Sequence, residues 1–284
     1  MAERPLRQFY EHDMEFRAPG TPAELVKPWV RHRRRFQASL ELLSDEQWRA
    51  TTRCDDWNAM DVVWHLVTAD QFWQMSIASG TAGTPTAFLA GFDPAATPGQ
   101  VAAAAAKDTT AETMAAFAAV NDSFIATVEA VSDDAWDRMA ESPLGHVPAQ
   151  LALAHAFWDS WLHERDVLLP LELEPAVEPD ELWCATTYSL FAAALQGGLP
   201  HDDQPVGPGP EGDITERVTF DEFPERCLEV SIGDDVTVTE VDDGAPSVGS
   251  ALALVEAFTG RVEADGFALP GKLGAQLERA RLIL

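Results

Sequence analysis

The sequence predicts an α+β protein, a helical domain followed by a smaller α+β domain, on three observations. Before about residue 205, apolar side chains recur at three- and four-residue steps, the period of amphipathic helices. Beyond it, short stretches alternate apolar and polar, the period of half-buried strands. Between the two, His201 to Asp213 is rich in Pro, Gly and Asp and reads as a linker. Helices first and strands second is α+β order rather than alternating βαβ units. The predicted divisions are an N-terminal extension over 1–22, a helical domain over 23–200 and a C-terminal domain over 201–284.

The first helix is expected from about Pro28 to Leu43, with Trp29, Phe36, Leu40 and Leu43 on one stripe; proline is tolerated in a first turn, which sets the start. Ser44-Asp-Glu-Gln47 has the form of a capping box opening a short turn before Trp48. Asn58 is a good N-cap and Asp61 suits a first turn, so the next helix runs to about Ser79. Residues 80–98, rich in Gly, Thr, Pro and Ala, read as a loop able to cover a site. An Ala-rich helix is expected over roughly 98–131. Another spans about Pro148 to Leu169, stopped by Pro170, and a fifth runs from Pro179 to Gln196, ended by Gly197-Gly198. Strands are expected at Arg217–Phe223, Cys227–Ile232 and Val236–Val241, with Gly233-Asp234-Asp235 as the hairpin between the last two. Helices at Ser247–Phe258 and about Lys272–Leu282 complete the reading.

Hydrophobic residues at 46% and charged residues at 23% are ordinary globular composition. No apolar run approaches the ~18–20 residues that span a bilayer. The opening residues lack the apolar core of a signal peptide. Three scattered cysteines, Cys54, Cys184 and Cys227, fit a reducing compartment, and the expected location is cytoplasmic. Nineteen basic against 47 acidic side chains give a formal charge of −28, a field that repels phosphate backbones and anionic membranes. Neither nucleic acid nor membrane is an expected partner. No Walker or GxSxG pattern occurs, and the Gly207-Pro-Gly-Pro-Glu-Gly212 stretch, though spaced as GxGxxG, is proline-broken and lies in the linker rather than in a strand-to-helix turn, which leaves nucleotide-dependent and serine-hydrolase chemistry without support.

Metal chemistry has better support. Asp159 and His163 stand four apart on a predicted helix and share a face. His155 is one turn earlier, near the same stripe. A carboxylate and an imidazole on adjacent turns reach one cation, and His65, mid-helix among large apolar residues, is the candidate third ligand. Taken singly, a mid-helix histidine is more often a hydrogen-bonded core residue, and an acid–His pair at this spacing is common on exposed helices. Asp166 or Glu164 are candidates to orient a metal-bound imidazole, with salt bridges across the bundle the plainer expectation. Trp57, Trp64, Trp73, Trp158 and Trp161 read as core before they read as a cleft wall. Lys27, Arg31, Arg33, Arg34 and Arg35 form a basic run, read as a solvated face rather than an anion trap. Cys54 precedes a helix N-terminus, where a thiol pKa can fall; structural burial is the expectation.

The block Cys54-Asp55-Asp56-Trp57-Asn58-Ala59-Met60-Asp61-Val62-Val63-Trp64-His65-Leu66 resembles the Cys-x-x-Trp-(Thr/Asn)-x-x-Asp-x-x-x-His-Leu block of mycothiol-dependent maleylpyruvate isomerase-like proteins, members of the DinB-like metal-dependent helical bundles. Trp161-Leu-His-Glu-Arg-Asp-Val-Leu-Leu169 looks like that family's second metal helix, and Ser250 to Arg261 like its Leu-rich helix ending in Gly-Arg. The resemblance implies a DinB-like four-helix bundle with a zinc-type site, a sterol-carrier-like C-terminal domain, and use of the low-molecular-weight thiol mycothiol. It sets His65 on the first histidine ligand and His163 on the second. Where the family usually has Glu this chain has Asp159, one methylene shorter; His155 is the substitute if that carboxylate falls short. It also sets Arg261 on an arginine tied to activity, able to hold a substrate carboxylate by a forked pair of hydrogen bonds, against the plainer role of satisfying the last helical carbonyls.

The implied chemistry is a metal-activated thiolate attacking a small electrophile. An adduct that rotates and expels the thiol gives cis–trans isomerisation; one that persists gives S-transfer. A divalent metal (zinc first, with nickel, iron or manganese open), mycothiol and a small electrophilic substrate are therefore the expected cofactors and partners. The competing reading is a non-catalytic, metal-stabilised bundle that binds a small molecule or protein partner.

Overall fold

The computed structural model describes residues 16–54, 56–89, 109–143, 145–197, 213–233 and 235–281. Residues 1–15 of the expected N-terminal extension, the far part of the 80–98 loop, the start of the Ala-rich helix and nearly all of the 201–213 linker lie outside them. The chain divides into two compact units, one of residues 22–143 and 148–181, the other of residues 1–21, 144–147 and 182–284.

The helical unit is built on four long helices: α1 (Pro22–Glu41), α3 (Ala59–Thr81), α4 (Thr110–Glu129) and α5 (Ala149–Leu168), with the short α2 (Asp45–Trp48) between the first two. α1 and α3 each pack against both α4 and α5, the arrangement of a four-helix bundle. α1 begins six residues before the expected Pro28. Pro22 occupies its first position, where a missing N–H costs nothing, and Pro28 sits buried inside the helix. Both expected N-terminal caps are present. Ser44 and Gln47 close a capping box on α2, and Asn58 and Asp61 close one on α3. A third, from Thr109 to Glu112, opens α4.

Along α3, Val62, Val63, Leu66 and Val67 are buried with Phe36, Leu40, Phe117, Val167 and Leu168. Each such burial contributes about 1.5–3 kcal/mol, enough to fix the rotation of α3 and with it the direction of His65. The far end of α3 meets β2 (Met139–Ser142) at Gly80. A Cβ there would lie 2.5 Å from the Met139 carbonyl oxygen and 2.9 Å from the Ala140 Cα, so only glycine fits without a shift.

The second unit carries β1 (Phe16–Arg17), β4 (Ile214–Phe220), β5 (Phe223–Ile232) and β6 (Val236–Val241) in a sheet of order β1-β6-β5-β4. β5 is antiparallel to both neighbours, and β1 adds to β6 in parallel. β3 (Gly145–Pro148) precedes α5, α6 (Pro179–Gly197) runs across the division of the chain, and α7 (Ala251–Phe258) and α8 (Gly271–Arg281) follow the sheet. Two expectations are corrected here. The first long strand ends at Phe220, because Asp221 and Glu222 make the turn and Phe223 already pairs in β5. α7 starts at Ala251 rather than Ser247, because Gly249 has φ 109°, outside helical space, and Ser250 supplies the cap. Among the described residues no helix is long and apolar enough to cross a membrane.

Candidate metal centre

α3 and α5 bring three sequence-predicted residues together. His65 Nε2 lies 3.4 Å from Asp159 Oδ2, and His163 Nε2 lies 3.4 Å from Asp159 Oδ1. One donor atom from each of the three falls within 4.8 Å of the others. The i,i+4 spacing on α5 stacks Asp159 and His163, and the rotation of α3 turns His65 toward both. Two imidazole nitrogens and a carboxylate are a borderline-soft mixed set suited to zinc, and three protein donors is the number used in catalytic rather than structural zinc sites. The donor set fits such an ion.

Asp166, also on α5, supports it from behind. Its Oδ2 lies 2.9 Å from His163 Nδ1, an arrangement that commits Nδ1–H to the carboxylate and directs the Nε2 lone pair at the cluster. Arg53 Nε donates to the other Asp166 oxygen at 3.1 Å, and the Arg53 backbone N–H donates to the Asp166 carbonyl. The plainer salt-bridge reading thus describes Glu164, which pairs with Arg35 and His32, and also Asp166, which pairs with Arg53 while it braces the imidazole. Cys54, half-buried, points its Sγ at Asp166 Oδ2 (3.3 Å), with His163 Nδ1 3.7 Å away. Its position follows from the 52–57 loop, where Thr52 Oγ1 accepts from the Cys54 N–H and donates to the Trp57 carbonyl.

Residues 29–168 match the profile of the mycothiol maleylpyruvate isomerase N-terminal domain. The helical domain belongs to this family. Among solved structures the chain is similar to the crystal structure of a mycothiol-dependent maleylpyruvate isomerase and to that of a histidine-to-alanine mutant of the same enzyme. Each is 15% identical, covers 88% of this chain and 92% of its own, and has a TM-score of 0.58, a likeness of fold. No functionally curated protein matches the sequence.

Within this maleylpyruvate isomerase-type domain the electrostatics follow from burial and charge pairing. Burial works to raise the Asp159 pKa, but the charges of His163 and His65 outweigh it and hold the carboxyl well below its usual range. Burial likewise works to lower that of His163, and the Asp159 charge, together with hydrogen bonds the ring donates to Asp159 and Asp166 and its contact with Cys54, raises it well above. His155 is pushed down to about 4 by burial, opposed by Asp159 and assisted by His65. His155 is not among the donors that meet within 4.8 Å; its ring packs on Trp73 instead, with centroids 4.7 Å apart.

The basic run of α1 departs from its expected solvated face. Lys27 and Arg34 are exposed, but Arg33 is wholly buried, bonded to Asp70, to Asn121 Oδ1 (2.7 Å) and to Ser160 Oγ (2.9 Å). Burial lifts the Asp70 carboxyl to about 6 in spite of the Arg33 charge. Arg31 reaches Asp180 and Glu181, and Arg35 reaches Glu164 and Glu181. Of the singled-out tryptophans, Trp73, Trp158 and Trp161 are core, while Trp57 and Trp64 keep partial exposure and Trp57 lies 5.4 Å from the His65 ring. Arg261 lies in the second unit just past α7. Its N–H donates to the Glu256 carbonyl and its guanidinium to the Thr259 carbonyl at 3.5 Å, which is the helix-terminal role.

Proposed function

We propose that this chain is a metal-dependent, mycothiol-using isomerase or S-transferase that acts on a small electrophile in the cytoplasm. The observation that carries the reading is the convergence of His65, Asp159 and His163, with His163 braced by Asp166. A divalent cation held by these three would supply Lewis acidity and favour the thiolate form of a bound thiol near neutral pH. The chain's own part is to hold two Nε2 lone pairs and one carboxylate at a common point, and to keep the His163 Nδ1 proton on Asp166. Arg261 is the candidate to hold a substrate carboxylate by a forked pair of hydrogen bonds.

The metal-loaded protein is incubated with mycothiol and an unsaturated electrophile, and the free thiol is counted. Isomerisation returns the thiol; S-transfer consumes it. Metal analysis of His65→Ala and His163→Ala accompanies the assay, with loss of metal expected in both. Retained metal in both variants removes the ligand set. Bound metal with no thiol-dependent turnover favours the non-catalytic bundle.

A further inference from the structure

In α5 only Gln150, His155 and Asp159 keep partial exposure; the rest of the helix is buried. His155 and Asp159 are one turn apart, so the accessible stripe of this helix leads from an imidazole to the carboxylate of the cation cluster. On α3 the partly exposed His65, Ala69 and Phe72 follow one another at helical steps of four and three. Trp73 packs on the His155 ring at 4.7 Å, Trp158 stands perpendicular to it at 5.8 Å, and Phe72 contacts Trp73 at 5.0 Å. Trp73 and Trp158 are buried, so their packing fixes the imidazole in one orientation. Ala69, four residues from both His65 and Trp73, adds no more than a methyl group beside them.

We propose that His155, packed against Trp73 and Trp158, is a specificity-determining residue that stacks a flat, unsaturated substrate beside the His65–Asp159–His163 cluster. The substrate class rests on the thiol-addition reading above. A carbon that takes up a thiol by conjugate addition belongs to an alkene conjugated to a carbonyl, and conjugation makes that part of the molecule planar. A wall of touching rings favours such a molecule over its flexible saturated counterpart, through ring stacking and a smaller ordering cost.

Two ketones of nearly equal size separate these cases: benzylideneacetone, flat and conjugated, and benzylacetone, saturated and flexible. Each is titrated into the full-length, metal-loaded protein without thiol, and binding is followed by ligand-observed NMR. The flat ketone is expected to bind about tenfold more tightly. His155→Leu abolishes that preference and His155→Phe keeps it, both with wild-type metal content and far-UV circular dichroism. Ala69→Leu, which adds bulk one turn from both His65 and Trp73 on α3, weakens the flat ketone by about tenfold as well. Equal binding of both ketones to the wild type, or an undiminished preference in His155→Leu, overturns the proposal. Loss of metal from His155→Leu also overturns it, by making that histidine a ligand. A preserved ketone preference without thiol-dependent turnover supports this proposal and counts against the function proposed above.

Discussion

His163 shows how much one residue's role depends on its two ring nitrogens. Nδ1 is taken by Asp166, Nε2 faces Asp159, and the pair of carboxylates holds the ring in its charged form to a pH well above the ordinary histidine range. A cation must displace that proton. Its affinity is therefore expected to rise by about tenfold per pH unit through neutrality, flattening only above the raised pKa. Chelator-competition titrations at several pH values read this directly; a flat profile would mean His163 binds no cation. Replacing Asp166 with Asn keeps an oxygen near Nδ1 but removes its charge, and the same titration should show affinity weaker by about 10–100-fold. The Asp159–His163 pair was legible in the sequence because helical periodicity turns a spacing of four into proximity. The bracing by Asp166 was only one of two open readings, and the place of Cys54 beside it was not foreseen. It depends on the 52–57 loop folding back onto α5, and no local pattern encodes that.

At the scale of the element, α1 is the helix whose sequence misleads. Its arginines share a stretch with Lys27 and Arg34, which are exposed, and nothing nearby in the chain marks Arg33 as different. Its partners Asp70, Asn121 and Ser160 come from three other helices, and only the assembled bundle makes burial of that charge tolerable. Arg33→Met should cost about 3–5 kcal/mol by leaving Asp70 buried and unpaired, and adding Asp70→Leu should recover most of it. Urea titrations of the single and double variants measure both. The same helix sets an acid limit. Burial alone would raise the Glu164 pKa, but hydrogen bonds and charge from His32 and Arg35 hold it at about 2 against an ordinary 4.5. A depressed carboxylate stabilises the fold above its unfolded pKa and loses that contribution as pH falls. Unfolding free energy should thus drop between about pH 4.5 and 2, by roughly 3 kcal/mol from this group. Glu164→Gln should remove that segment of the pH profile.

For the whole molecule, charge and metal act together. A formal charge of −28 repels itself in the compact state and concentrates cations near the surface. A cation that binds only the folded helical unit adds about 2.7 kcal/mol when it is present at a hundred times its dissociation constant. Thermal scans with zinc and with chelator should differ by several degrees, and His65→Ala should erase the difference. The order of helices and strands was legible at this scale, because periods of 3.6 and 2 are written in apolar spacing. The exact ends of α1, β4 and α7 were not, because each is settled by a proline, a turn or a glycine responding to tertiary neighbours.

The close approach at Gly80 gives α3 the mechanics of a beam clamped at both ends. One clamp is the Asn58–Asp61 box; the other is backbone resting on backbone with no side chain to act as a cushion. His65 lies about 22 Å from the second clamp, at 1.5 Å per residue. A single methyl at position 80 would therefore act as a shim, prying the strand loose or tilting the beam. The imidazole at its other end would move with it, although nothing near the imidazole had been touched.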